Sequence, residues 1–103
     1  MAAQLTIAID YDDTFTADVE MWRHVMADFR RCGHRVVCVS ARRNEIGHRQ
    51  ELQKALPAGV LILLSYDTPK RLYAKAQGVD VDIWIDDMPE AIPTKQEMLA
   101  VCG

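Results

Sequence analysis

The ten residues LTIAIDYDDT, Leu5 to Thr14, decide how the rest of the chain is read. Leu5–Ile9 is apolar except at Thr6, rich in β-branched side chains, and does not alternate. That is the pattern of a strand covered on both faces inside a parallel sheet. The run then breaks into Asp10-Tyr11-Asp12-Asp13-Thr14, which places three carboxylates where the chain must turn. Three further runs repeat the form. Val36–Val39 ends on Ser40-Ala41-Arg42-Arg43, Val60–Leu64 ends on Ser65-Tyr66-Asp67-Thr68, and Ile83–Ile85 ends on Asp86-Asp87.

Helical patterns fill the gaps between these runs. Val19, Trp22, Val25, Met26 and Phe29 recur at spacings of three and four, with Gly33 as the stop. A second, weaker helix has Asn44 as its cap and Ile46, Leu52 and Leu56 facing inward, with Gly47 lowering its propensity. A third starts at Thr68 as N-cap with Pro69 in the first helical position, turns Leu72, Tyr73 and Ala76 inward, and stops at Gly78. Thr94 and Glu97 stand at capping-box spacing for a last helix over 94–101. The alternation β-α-β-α-β-α-β-α predicts a three-layer, Rossmann-like α/β domain with a small, mostly parallel sheet.

Composition narrows the class. The chain has 103 residues, 50% hydrophobic and 26% charged, which is globular usage for one domain and argues against disorder. No apolar run is long enough to cross a bilayer, and Met1-Ala2-Ala3-Gln4 has no leader-like pattern, so a cytoplasmic protein with no membrane partner is expected. Cys32, Cys38 and Cys102 are odd in number and form no CxxC pair, which argues against a disulfide framework or a zinc site and makes them small apolar fillers, one near the C-terminus. His24, His34 and His48 show no metal-ligand spacing and are read as surface or structural. Trp22 is assigned to the core by its helix stripe, while the Met21/Met26 surface leaves a homo-oligomer open.

The net charge of −3 is unevenly spread. Residues 1–22 carry five acids and no Lys or Arg, whereas residues 23–49 carry seven arginines against Asp28 and Glu45. An acidic site beside an arginine-rich segment suits an anionic ligand held through a metal. Ligands of open parallel sheets sit at the carboxyl ends of the strands, where these acids cluster. If the first and fourth strands are neighbours, Asp10, Asp12, Asp86 and Asp87 converge. Each like-charge pair at ~4 Å then costs about 4 kcal/mol at an effective dielectric near 20. A hard divalent cation, magnesium (Mg2+) above all, is the natural compensation, with Lys70 adding positive charge from the third helix.

In this order the residues resemble a known family, the haloacid dehalogenase-like (HAD) phosphohydrolases. Asp10-Tyr11-Asp12-Asp13-Thr14 is similar to their DxDxT motif, Ser40 to their lone Ser or Thr at a strand end, Lys70 to their helix lysine, and Asp86-Asp87 to their final acidic pair. The position usually held by glycine after the second aspartate is Asp13, and Lys75 competes with Lys70 for the lysine. Ser40-Ala41-Arg42 and the stretch from Lys70 to Asp86 look most like the small capless members, among them the phosphatase domain of phage polynucleotide kinase. About 25 residues separate Thr14 from Ser40 and about 29 separate Ser40 from Lys70, which leaves no room for a cap, so residues 1–103 are expected to form one minimal capless domain.

The resemblance implies phosphomonoester hydrolysis through an aspartyl-phosphate. Asp10 would be the nucleophile and Asp12 the general acid and base. Ser40, Ala41, Arg42 and Lys70 would hold the phosphoryl group. Asp10, the Asp12 carbonyl, Asp86 and Asp87 would hold magnesium. Without a cap the site is open, which suits a nucleic-acid end, another large phosphorylated substrate, or a nucleotide, with Arg42 and Arg43 placed to grip a second phosphate. The alternative is a non-hydrolytic magnesium-binding or phosphoacceptor module. A receiver-like domain would carry its acceptor near the third strand, at Asp67, but would place its acidic pair after the first strand and its lysine after the last. Here the lysine precedes the fourth run and the acidic pair follows it, so the order fits the hydrolase better.

Overall fold

The computed structural model describes residues 3–93. Within them the four apolar runs form β1 (Thr6–Ile9), β2 (Arg35–Ser40), β3 (Leu61–Leu64) and β4 (Ile83–Ile85). All pairings are parallel and the sheet order is β3-β2-β1-β4, so β1 lies between β2 and β4 as the converging carboxylates required. Ile7 pairs with Val36 and Ile83, and Ile9 with Cys38 and Ile85, which brings the strand ends level along one edge.

The helices are α1 (Val19–Arg31), α2 (Ile46–Ala55) and α3 (Lys70–Ala76), with 3-10 turns over Phe15–Ala17 and Pro89–Ala91. The sheet's period of two sorts its side chains between the layers. Ile9, Val36, Cys38, Ile62 and Leu64 pack with Met26 of α1 and Leu52 of α2, while Ala8, Val37, Val39 and Leu63 pack with Ala74 of α3. This is a small three-layer, Rossmann-like α/β fold with an all-parallel sheet. No helix among the described residues is long and apolar enough to cross a membrane.

The stripe on α1 is oriented as its spacing predicts. Met26 is fully buried, and Val19, Trp22 and Phe29 are half-buried against the same cluster. Asp18 caps the helix by accepting a hydrogen bond from the Met21 N–H (3.1 Å), and Gly33, at φ +89°, turns the chain out of it. Met21 is exposed.

The other two helices correct the sequence reading. Ile46, expected inward, is 77% exposed, because α2 begins at that residue, while Leu52 and Leu56 reach the core with Ala55 packed against it. Asn44 does not cap α2. Glu45 holds the cap position, and the Asn44 Oδ1 accepts from Arg49 instead. On α3, Pro69 replaces Thr68 as the cap residue and Lys70 opens the helix. Leu72 and Ala76 point outward, and the buried positions are Lys70 and Ala74, with Tyr73 half-buried. The helix has rotated to bury a lysine in place of a leucine. Cys32 is exposed at the end of α1 and is no filler, whereas Cys38 is buried and its thiol is pushed up to about 12 by burial. The capping-box residues Thr94 and Glu97, the helix expected over 94–101, and Cys102 lie outside the described residues.

Candidate active site

The carboxyl edge of β1 and β4 holds four charged side chains in contact. The Asp10 backbone N–H donates to the Ile85 carbonyl (2.9 Å), which carries the sheet one residue past β1 and fixes Asp10 beside the end of β4. Lys70 reaches in from the first turn of α3. Its Nζ lies 2.8 Å from Asp10 Oδ1 and 2.5 Å from Asp86 Oδ2, with all three side chains less than a tenth exposed. The Thr14 hydroxyl sits between the other carboxylates, 3.3 Å from Asp10 Oδ2 and 3.1 Å from Asp87 Oδ1, and accepts the Asp87 N–H. The Met88 N–H donates to Asp86 Oδ1, which fixes the remaining oxygen of that carboxylate.

The turn between Asp10 and Thr14 explains Asp13. That residue has φ +62°, in the left-handed region that favours glycine but that aspartate tolerates better than most side chains. Its N–H is taken up by the Thr16 hydroxyl (2.9 Å) and its carboxylate is exposed.

The electrostatics follow from this packing. Burial pushes the Asp10 carboxyl up to about 6, against the pull of Lys70. Asp87, exposed, is held below its ordinary value by hydrogen bonding with Asp10 and then by Thr14. Burial works against the charge on Lys70, yet its bonds to Asp10 and Asp86 overcome that and raise its pKa. Among the described residues, three carboxylates against one ammonium leave a formal charge of −2. One oxygen from each of Asp10, Asp86 and Asp87 lies within 4.8 Å of the others, a donor set of hard oxygens suited to a small divalent cation such as magnesium.

Asp12 departs from the expected convergence. Its carboxylate is taken by Arg42, with Nε donating to Oδ2 (2.9 Å) and Nη2 to Oδ1 (2.8 Å). This two-pronged pairing holds Asp12 below the usual carboxylate range. Arg42 also contacts Glu51 on α2 (2.7 Å) and stacks over the Tyr11 ring at 5.2 Å. Asp12 and Arg42 still line the cleft of about 250 Å³ that contains Asp10, Lys70, Asp86 and Asp87.

The remaining expected residues are placed as follows. Ala41 lines that cleft, whereas Ser40 is buried and does not line it; the Ser40 hydroxyl accepts the Arg42 N–H (3.2 Å). Lys70 is in the cluster and Lys75 is exposed. Asp67 is exposed and lines a neighbouring cleft. Sequence reasoning named Arg43 only as a grip for phosphate. In the structure its Nη2 donates to the Tyr66 hydroxyl (2.8 Å) and its guanidinium lies 4.7 Å from that ring's centroid. Glu51, the second partner of Arg42, carried no sequence signal, since its side depends on the rotation of α2. Thr14 had one, as the last letter of DxDxT.

No family model matches the chain, and searches of the curated proteins and of the solved structures return no match.

Proposed function

We propose that the chain is a magnesium-dependent phosphomonoester hydrolase of the haloacid dehalogenase-like kind, acting through an aspartyl-phosphate on Asp10. The observation that carries this reading is the buried knot of Asp10, Lys70 and Asp86, with Asp87 joined through Thr14, which leaves a charge of −2 at the edge where ligands of such sheets bind. Magnesium fits that donor set, and Asp10, Asp86 and Asp87 would hold it together with the Asp12 carbonyl. Its contribution when bound is to offset the repulsion between an anionic nucleophile and an anionic phosphate.

The chain's own residues supply the rest. Lys70 fixes one Asp10 oxygen, which leaves Oδ2, already turned toward Thr14, as the attacking atom. Asp10 forms a bond to phosphorus as the ester oxygen leaves with its electron pair, and Asp12 gives that oxygen a proton. Asp12 then takes a proton from the water that attacks the phosphoryl group, regenerating the Asp10 carboxylate and releasing inorganic phosphate. Arg42 holds Asp12 ionised, so Asp12 must leave it and take up a proton from solvent before it can act as the acid, and a phosphate that draws Arg42 to itself removes the pairing that keeps that proton off.

Hydrolysis of an aryl phosphate with and without magnesium, in the wild type and Asp10→Asn, tests the reading. The expected result is activity that requires the metal and falls at least about 10³-fold in the variant, as removing a covalent nucleophile should. Equal activity in the two proteins sinks Asp10.

A second reading is favoured by one observation. Arg42 keeps Asp12 ionised, which suits a module that binds magnesium and accepts phosphate without turning over. Incubation with acetyl phosphate followed by mapping of the phosphorylated residue separates the cases. Stable label on Asp67 supports the module, and transient label on Asp10 supports the hydrolase.

A further inference from the structure

The carboxylate cleft opens beside a second one of about 320 Å³, and Ala41, Lys70 and Ala91 line both. That volume lies at the lower end of the roughly 300–1,000 Å³ typical of small-molecule pockets. The β3–α3 loop gives it Tyr66, Asp67 and Pro69, and the chain around the Pro89–Ala91 turn gives it Glu90, Ala91 and Pro93. Ser65 and Thr68 also line it, yet most of its lining surface is apolar, with the carboxylates of Asp67 and Glu90 among the lining residues.

Tyr66 is built to stay where it is. It is 48% exposed, and its φ of +52° is a strained conformation for an aromatic residue. The turn is closed by the Thr68 N–H donating to the Ser65 carbonyl (3.0 Å), and Arg43 holds the ring by its hydroxyl and lies over its face. A half-exposed aromatic ring fixed in this way presents a stacking surface.

The charges say what does not bind. Arg42 is engaged by Asp12 and Glu51, Arg43 by Tyr66, and Lys70 by Asp10 and Asp86. Among the described residues, the two remaining charged groups of the second cleft are Asp67 and Glu90, so a second phosphate entering it would meet like charge. Arg43, bonded to the neutral Tyr66, does not line this cleft, which disfavours a polynucleotide backbone there. The carboxylates instead call for hydrogen-bond donors.

Resting on the phosphatase reading, we infer that the second cleft binds a nucleoside, so that the substrate is a nucleoside monophosphate. The phosphate lies in the carboxylate cleft, the base stacks on Tyr66, and Asp67 and Glu90 accept from hydroxyl or amino groups. A phenol would stack but offer a single donor to the two carboxylates, and a bare sugar would satisfy them without stacking.

The test uses adenosine, ribose and phenol, none of which the phosphatase chemistry consumes. Amide shifts of Ser65 to Thr68 are followed in the wild type, Tyr66→Ala and Tyr66→Phe. Adenosine is expected to bind at least about tenfold more tightly than ribose or phenol, with the preference lost in Tyr66→Ala and kept in Tyr66→Phe, as stacking on the ring requires. Equal binding of the three probes, no saturable shift, or a preference unchanged in Tyr66→Ala overturns the inference, whatever the hydrolysis assay gives. Absence of magnesium-dependent hydrolysis overturns the phosphatase reading alone and leaves nucleoside binding to be decided by the titration.

Discussion

The two halves of the sheet's carboxyl edge handle charge in opposite ways. At the ends of β1 and β4, Asp10, Asp86 and Lys70 are buried and share too few cations among their carboxylates. At the ends of β2 and β3, Arg42 and Arg43 stand at or near the surface and each already has its partners. The same charges therefore carry different weight. An exposed ion pair contributes about 0–1 kcal/mol, whereas removing one partner of a buried pair leaves an uncompensated charge that costs about 3–5 kcal/mol. The first half is where unspent charge can drive chemistry. The second offers shape and stacking surface.

The sharpest way to break this comparison is Lys70→Met. Among the described residues it strips the cluster of its one ammonium and leaves Asp10 and Asp86 facing each other in a buried site. Urea unfolding of the metal-free protein at neutral pH should show a loss of about 3–5 kcal/mol, partly restored by added magnesium. A loss below about 1 kcal/mol would place this pair in the same class as the exposed ones and erase the contrast.

A smaller effect sharpens it. In the metal-free protein Asp10 is raised to about 6, so below that pH a proton must leave before the oxygen can hold a cation. Magnesium affinity, followed by calorimetry from about pH 5 to about pH 8, should be nearly flat above pH 6. Below it the affinity should weaken by up to about tenfold per pH unit. Affinity that keeps rising with the same slope above pH 7 would show that a group other than Asp10 controls the site.

How much of this was legible in the chain depends on which force set each feature. Non-alternating apolar runs gave the parallel sheet and its strand ends, because burial on both faces leaves little choice of residue there. The same logic put Asp10, Asp86 and Asp87 on one edge, and the helix punctuation around Thr68 and Pro69 put Lys70 beside them. Helix rotation was less legible. Leu72 and Ala76 were turned inward on hydrophobicity alone, while the pull of Asp10 and Asp86 on Lys70 set α3 the other way. Pairings such as Arg42 with Glu51 and Arg43 with Tyr66 join separate elements, and no local pattern records which long side chain reaches which partner.

The smallest expected effect tests the other half directly. Arg42 binds Asp12 with two hydrogen bonds and Glu51 with a further contact, so a count of contacts alone would make it the strongest cation on the edge. Its partners are about half exposed, however, with side-chain accessibilities of 49% for Asp12 and 53% for Glu51. Water and salt screen such pairs, so Glu51→Gln should cost less than about 1 kcal/mol in urea unfolding and less still in high salt. If the phosphatase reading holds, the consequence lies in catalysis. Without Glu51, Arg42 keeps only Asp12 as an anionic partner and should grip it harder, so kcat falls while KM for the phosphate changes little. A stability loss as large as that of Lys70→Met would mean that the two halves do not differ in kind, and that geometry rather than burial sets the worth of these charges.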